Sequence, residues 1–364
     1  MSKSQKEEKI RAEERTFFAA ANSGKGFVSF YNEIFNSDKI KRRYLIKGGP
    51  GTGKSTLMRS IADFSEERGI EAVRYRCSSD PTSLDGIILN QCVAVIDSTA
   101  PHTVEAELAG ARDAIIDLGA FWNADGLYLE SEKIKSLAER KKRAYALAYR
   151  FLSSAMQCDL ASRELALPYV DKRRIARIGS RLTKGIEGDG GYECRVVFSR
   201  AIGMSGRCAL DGYANLASKI VYLEEHYGIA YLLLCEICET ARKRGCKIVI
   251  SYDPLTPDIP DSVFFEESKI LFAVCGERKK GAISLRRVLD FSVLSKQEKN
   301  EVKAKSRSAG HLSEALVDAA TDKLKDAADA HFELEKIYKA HMDFEALNEY
   351  AKKIKAQIVD FAAR

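Results

Sequence analysis

One run of residues carries most of the chemistry that can be read from this chain. Gly48-Gly49-Pro50-Gly51-Thr52-Gly53-Lys54-Ser55 satisfies the spacing G-x-x-x-x-G-K-[ST] in full. Glycines at 48, 51 and 53 permit the positive-φ backbone that turns successive N–H groups inward as an anion nest. A helix opening at Lys54 aims its N-terminal amides and partial positive charge at the same spot. Lys54 adds a point charge suited to β- and γ-phosphates, and the Ser55 hydroxyl is a ligand for Mg²⁺. The expected ligand is ATP with Mg²⁺, held by Gly48, Gly49, Pro50, Gly51, Thr52, Gly53, Lys54, Ser55 and Thr56.

A site of this kind needs a second carboxylate for Mg²⁺ at the end of a neighbouring strand. Cys92-Val93-Ala94-Val95-Ile96-Asp97 has that form, so Ser55 and Asp97 are the expected metal residues. Ser98 follows Asp97, so the Asp-Glu pair that many ATPases use to activate water is missing. Asp80, Asp85 and His102 are the other candidates for base or γ-phosphate sensor, which gives Lys54, Asp97, Asp80 and His102 as the expected catalytic set. Asp80 and Asp85 follow a strand at 70–77, on the sheet edge where ligands bind.

The elements that position these residues follow from periodicity. Arg43–Lys47 is a short apolar strand entering the glycine cluster, and Leu57, Met58, Ile61 and Phe64 recur at helical spacing up to a stop at Gly69. Strand, helix and strand in this rhythm predict a parallel sheet covered by helices. Residues 1–16 read as a polar helical lead-in, 103–118 and 127–165 as largely helical, and 295–364 as two helices broken near Met342-Asp343 that pair as an antiparallel hairpin. Leu312, Leu316, Ala320, Leu324, Ala327, His331, Leu334 and Tyr338 form the stripe of the first of these.

The chain's 364 residues suit two domains. The predicted division is 1–184, a nucleotide-binding α/β half with a helical extension; 185–191, a glycine-rich linker; 192–294, a second α/β half; and 295–364, the C-terminal hairpin. Sliding the chain by 176 residues supports the duplication, matching Leu57/Leu233, Ile61/Ile237, Arg68/Arg244, Gly69/Gly245, Val73/Val249, Pro81/Pro257 and Asp85/Asp261. A gapped variant that sets Asp80-Pro81 on Asp253-Pro254 fits about as well. The shift places Glu224–Tyr231 on the phosphate loop, with Ala230 at Lys54, Tyr231 at Ser55 and Ala273 at Asp97. Carboxylates there would repel a triphosphate with no cation to compensate, so the second half is expected to be free of nucleotide.

Net charge is +6 spread over 110 Lys, Arg, Asp and Glu residues, too weak a bias to imply nucleic acid. No apolar run approaches the ~18 residues of a membrane span. The charged N-terminus lacks a secretory h-region, and nine cysteines, an odd number, fit a reducing cytoplasm. Cys235-x-x-Cys238 lies in an apolar helical run, as buried structural cysteines do, and His331 with Glu335 lacks a third metal ligand. The basic run Arg173, Arg177 and Arg181 has no interleaved aromatics and reads as a solvated face. Lys25 and Arg207, each in Ser-Gly-[Lys/Arg], are candidates to reach a γ-phosphate between halves.

Taken together, Gly24-Lys25-Gly26-Phe27, the phosphate loop, Asp80-Pro81, Leu84-Asp85-Gly86, Asp97-Ser98-Thr99-Ala100-Pro101-His102 and Phe121-Trp122 resemble a bacterial family of duplicated P-loop ATPases. The tail, Leu334–Tyr338 with Met342-Asp343-Phe344, is similar to that family's C-terminal hairpin. The resemblance implies an α/β protein of two tandem P-loop NTPase-like parallel-sheet halves, RecA/AAA-like, each followed by a helical hairpin. It also implies ATP binding in both halves, from which the second half of this sequence departs. The expected activity is hydrolysis of MgATP at the N-terminal half. The alternatives are a small-molecule or nucleoside kinase with Asp80 or Asp85 as base, and a non-enzymatic ATP-dependent switch or scaffold that meets a protein partner through the C-terminal hairpin.

Overall fold

The computed structural model describes residues 15–101, 103–276 and 279–364. The predicted lead-in helix falls mostly outside the described residues. The first half comprises β1 (Thr16–Phe18), β2 (Ala20–Ser23), β3 (Gly26–Ser29), α1 (Tyr31–Phe35), β4 (Arg42–Lys47), α2 (Lys54–Glu66), β5 (Ala72–Arg76), β6 (Leu84–Leu89), β7 (Val93–Asp97) and β8 (Asp113–Asp117). It is followed by α3 (Ala124–Leu129), the long α4 (Ser131–Ala166) and α5 (Lys172–Leu182). The second half repeats the series with β9 (Glu193–Val197), β10 (Arg200–Gly203), β11 (Gly206–Ala209), α6 (Gly212–Leu216), β12 (Lys219–Glu224), α7 (Tyr231–Lys243), β13 (Lys247–Tyr252), β14 (Pro260–Phe265), β15 (Ile270–Cys275) and β16 (Ile283–Ser284). The chain ends in α8 (Lys296–Ala340) and α9 (Phe344–Ala362).

Each half builds a six-stranded sheet, and the two share one order: β1-β5-β6-β7-β4-β8 and β9-β13-β14-β15-β12-β16. The sheets are mixed, not wholly parallel as the βαβ rhythm predicts. β6 and β14 each run antiparallel to both neighbours, and the remaining pairings are parallel. The reason is local. Leu89 pairs with Val93 across a turn in which Asn90 and Gln91 take φ of 46° and 57°. So short a connection can only return the chain antiparallel.

Residues 103–112 run as loop and turn rather than helix, and β8 follows them. From Ile115 to Asp117 burial alternates as in a strand, with Ile115 58% exposed, Ile116 1% and Asp117 exposed. Arg43 of β4 fixes that strand: its Nε and Nη2 donate to Asp113 Oδ1 and Oδ2 at 2.6 and 2.8 Å, both side chains buried.

The trailing helices are exchanged between halves. Leu347, Ile358, Val359 and Ala362 of α9 complete the core formed by α2 and the first sheet. Reciprocally, Ile175 of α5 joins the core formed by α7 and the second sheet. The outer faces of the two sheets share a further core that includes Leu45, Ile96, Val249 and Phe264, and Phe18 and Phe198 exchange two backbone hydrogen bonds of 2.9 Å across the join. The expected C-terminal hairpin is therefore replaced by a different pairing. α8 lies antiparallel along α4, with Arg140 against Glu333 at 3.0 Å near one end and Ser162 against Ser306 at 2.7 Å near the other. Ala148, Leu152 and Ala155 meet Val317, Ala320 and Leu324 between them. At about 1.5 Å per residue the two helices form an arm some 54 Å long. The buried stripe of α8 is Ser313, Val317, Ala320, Leu324, Ala327, Ala330, Leu334 and Ile337, shifted from the predicted one so that Leu312 is 55% exposed. Among the described residues no helix is long and apolar enough to cross a membrane.

Candidate functional site

The loop from Gly48 to Gly53 leaves β4 at Lys47 and enters α2 at Lys54, as its sequence predicts. Gly51 and Gly53 have φ of +70° and +84°, the left-handed region where a side chain is penalised. Gly53 is the N-cap of α2 and supplies no side-chain cap, so the first amides of the helix open toward the loop. Lys54 Nζ donates to the carbonyls of Gly48 at 3.1 Å and Gly49 at 2.8 Å, and stands 3.8 Å from Asp97 Oδ2. Lys54 and Asp97 are 13% and 14% exposed, so their mutual field is only partly screened. Thr52 Oγ1 donates to Gly49 O at 2.9 Å and braces the loop, while Thr56 is exposed.

Asp97 stands beside the loop because β7 pairs directly with β4, Asp97 opposite Ile46. Its Oδ1 accepts from the Thr99 N–H at 3.0 Å and the Thr99 hydroxyl at 2.6 Å, leaving Oδ2 toward Lys54. Ser55 Oγ accepts the Leu84 N–H at 2.9 Å, tying α2 to the start of β6. A hydroxyl at the start of α2 and a carboxylate at the end of β7, both hard oxygen donors, fit Mg²⁺ chemically.

The other candidates separate. Asp80 caps its own turn, accepting from the Thr82 N–H and hydroxyl at 3.0 and 2.7 Å and from the Ser83 hydroxyl at 3.0 Å. Asp85 is buried and hydrogen-bonded to Tyr31, whose hydroxyl is pushed well above the ordinary tyrosine range by burial and then by the charges of Asp85 and Asp97. His102 lies outside the described residues. Lys25 pairs with Asp258 of the second half, and Arg207 with Glu314 of α8 at 3.3 Å, so neither cation is directed at the phosphate loop. Among the described residues no group of three His, Cys, Asp or Glu is arranged to hold a metal ion, and Cys235 and Cys238 are unbridged thiols.

The site has neighbours that the sequence reading did not assign to it, all from elements after β8. A Cβ on Gly49 would meet the Tyr338 ring at 2.9 Å and the Trp122 ring at 3.2 Å, and one on Gly51 would meet the Glu335 carbonyl oxygen at 2.9 Å. Lys141 of α4 lies within electrostatic reach of the same groups. Burial lowers its pKa, the Lys54 charge lowers it further and the Asp97 charge raises it. In the sequence Lys141 sits inside the charged run Glu139-Arg140-Lys141-Lys142-Arg143; its place four residues after Leu137 and four before Tyr145 on a helix was the available signal.

The second half's loop has the same six-residue length, 225–230 against 48–53, and a different composition. Ile46 faces the α2 core and Leu223, with its partner Val274, faces the α7 core, while Ala273 faces the opposite side; at this shift of 177 Val274 and not Ala273 replaces the carboxylate. The buried positions of α7 (Leu233, Leu234, Ile237, Ala241) match Leu57, Met58, Ile61 and Ser65 of α2 at a shift of 176. The two helices therefore differ by one residue in the phase of their buried face, behind loops of equal length. The nest of the second half's loop is occupied from within: Glu225 Oε1 accepts the Ile229 N–H at 2.9 Å and the Ala230 N–H at 3.4 Å, a carboxylate placed where α7 would receive an anion. Arg163 of α4 donates to the Gly228 carbonyl at 2.8 Å. Compared with known proteins, the chain matches no family model, no curated protein and no solved structure.

Proposed function

We propose that this protein is an ATP-binding P-loop NTPase that hydrolyses MgATP at the N-terminal half and leaves the second half free of nucleotide. The observation that carries the reading is the Gly48–Ser55 loop, whose positive-φ glycines and open helix N-terminus lie with Lys54 3.8 Å from Asp97 on the adjacent strand. Backbone amides and Lys54 would neutralise phosphate charge, Lys54 exchanging its two carbonyl partners for phosphate oxygens. Ser55 and Asp97 would hold Mg²⁺, Asp97 through water, and the ion would supply charge neutralisation of the terminal phosphates. Trp122, Tyr338 and Glu335 pack the outer side of the loop and hold its shape against water. At the second half, Glu225 fills the anion position with its own charge.

Calorimetric titration of the full chain with MgATP should count one site. A micromolar site corresponds to about −8 kcal/mol, and losing one partner of a desolvated charge contact costs about 2–5 kcal/mol. Lys54→Ala should therefore weaken binding by roughly 30-fold to several thousand-fold. No binding at millimolar MgATP, or a second site surviving in Lys54→Ala, would refute the reading. A switch that binds without hydrolysing is favoured by one observation: Asp80 is engaged in its own turn and Ser98 stands where a glutamate would activate water. Release of inorganic phosphate decides between them, and a phosphorylated acceptor would point to a kinase.

A further inference from the structure

The arm formed by α4 and α8 passes over the phosphate loop, and its underside carries a file of charged groups that the proposed chemistry does not use. On α4, the Tyr145 hydroxyl donates to Ser79 Oγ at 3.0 Å, which fixes this face of the helix above the carboxyl end of β5. Lys141, one turn earlier on the same face, is half-buried. Its Nζ lies 3.3 Å from His331 Nδ1 of α8. Among the described residues no carboxylate stands within ion-pair distance of Lys141. His331 Nε2 faces Glu335 Oε1 at 3.5 Å, and Glu335 Oε2 accepts from Lys339 at 2.7 Å. The backbone of that same Glu335 lies against Gly51. The file thus runs from α4 to α8 and ends on the loop itself.

A half-buried lysine with no carboxylate in ion-pair distance is stabilised when an anion arrives. Lys54 and Lys141 lie close enough to repel each other and both are attracted to Asp97, the carboxylate 3.8 Å from Lys54. A polyphosphate entering between them would supply the missing negative charge. Lys54 belongs to the loop that would wrap the β-phosphate, whereas Lys141 is carried by the arm and is held at His331.

We propose that Lys141 contacts the terminal phosphate of the bound nucleoside triphosphate, and that His331 and Glu335 tie this contact to α8, so that the arm distinguishes tri- from diphosphate. The inference rests on the ATP reading above and deepens it. A diphosphate lacks the group that Lys141 would touch, so the contact contributes to ATP affinity and not to ADP affinity.

The test is calorimetric titration of the full chain with MgATP and with MgADP, in wild type, Lys141→Met and Lys141→Arg. Methionine keeps the apolar stem and removes the charge; arginine restores a cation. A charge-assisted hydrogen bond is worth enough to predict a roughly 10- to 100-fold loss of ATP affinity in Lys141→Met. ADP affinity should change less than about threefold, and Lys141→Arg should recover most of the ATP affinity. Lys142→Met, an exposed neighbour, should change neither. Equal losses for ATP and ADP would give Lys141 a merely structural role and overturn the proposal, as would no loss for either. Those outcomes presuppose a wild type that binds ATP; a wild type that binds neither nucleotide overturns the function reading itself.

Discussion

Replacing Asp113 by asparagine should destabilise the protein more than any other single-atom exchange near the phosphate loop. The Asp113 carboxylate receives both arms of the Arg43 guanidinium at 2.6 and 2.8 Å, and its Oδ2 also accepts the Glu107 and Leu108 N–H groups at 2.7 and 2.8 Å. An asparagine side chain there would present an amide N–H₂ to donors on one side and leave Arg43 buried without its charge partner. Glu107, 3.8 Å from Arg43 and 56% exposed, cannot replace it. Removing one member of a buried pair costs about 3–5 kcal/mol, a large share of the roughly 5–15 kcal/mol that holds a domain folded. At about 2–4 °C per kcal/mol for domains of this size, the melting temperature should fall by roughly 6–20 °C. The sign of the pH dependence follows from the Arg43 hydrogen bond, which holds the Asp113 carboxyl well below the usual carboxylate range. A folded-state pKa below the unfolded value gives stability that is fully present above about pH 4 and is lost as pH falls further. Urea titrations of wild type and Asp113→Asn should therefore show a constant gap from pH 8 to pH 5 that narrows only in acid. A gap under about 1 kcal/mol, or one that closes between pH 8 and 5, would refute the assignment of this pair as the anchor of β8.

Two further outcomes bear on the site and on the exchange of helices. Asp97→Asn should leave a folded protein whose ATP affinity no longer depends on Mg²⁺, measured by titration with and without the ion; unchanged Mg²⁺ dependence would move the metal role away from Asp97. Ile358→Ala, at a fully buried position of α9, should cost about 2–5 kcal/mol. Amide exchange should locate the loss in α2 and its sheet; loss confined to α7 would contradict the exchange.

How far these features can be read from sequence depends on how local their causes are. The loop at 48–55 was legible because the backbone it needs restricts residue types one by one: Gly51 and Gly53 take conformations that a side chain would strain. Asp97 was legible because an apolar strand ending in a carboxylate is a local pattern. β8 was not, since Asp113 is held by a guanidinium 70 residues earlier, and 103–112 carries no periodic signal of its own. The apolar stripe of α8 announced a buried face but not its partner, α4 instead of α9. Leu347, Ile358 and Val359 belong to a core whose other members lie near the opposite end of the chain. Lys141 was hidden for a related reason. A basic run on a long helix looks solvated until the helix opposite half-buries one of its members.

The exchange of α5 and α9 also sets an order of events during synthesis. α2 ends at Glu66, and the helix that covers it begins at Phe344, 344 − 66 = 278 positions later. At about 5–20 residues per second a ribosome needs roughly 15 s to a minute to deliver that cover. Throughout this interval the nascent first half holds Leu57, Met58 and Ile61 on a sheet whose outer layer has not yet emerged from the exit tunnel. The second half meets no such delay, because α5 is translated before the strands it covers. A ribosome-bound chain stopped short of residue 344 should therefore recruit holdase chaperones to its N-terminal half, while the later-made half closes almost as soon as its own last strand appears.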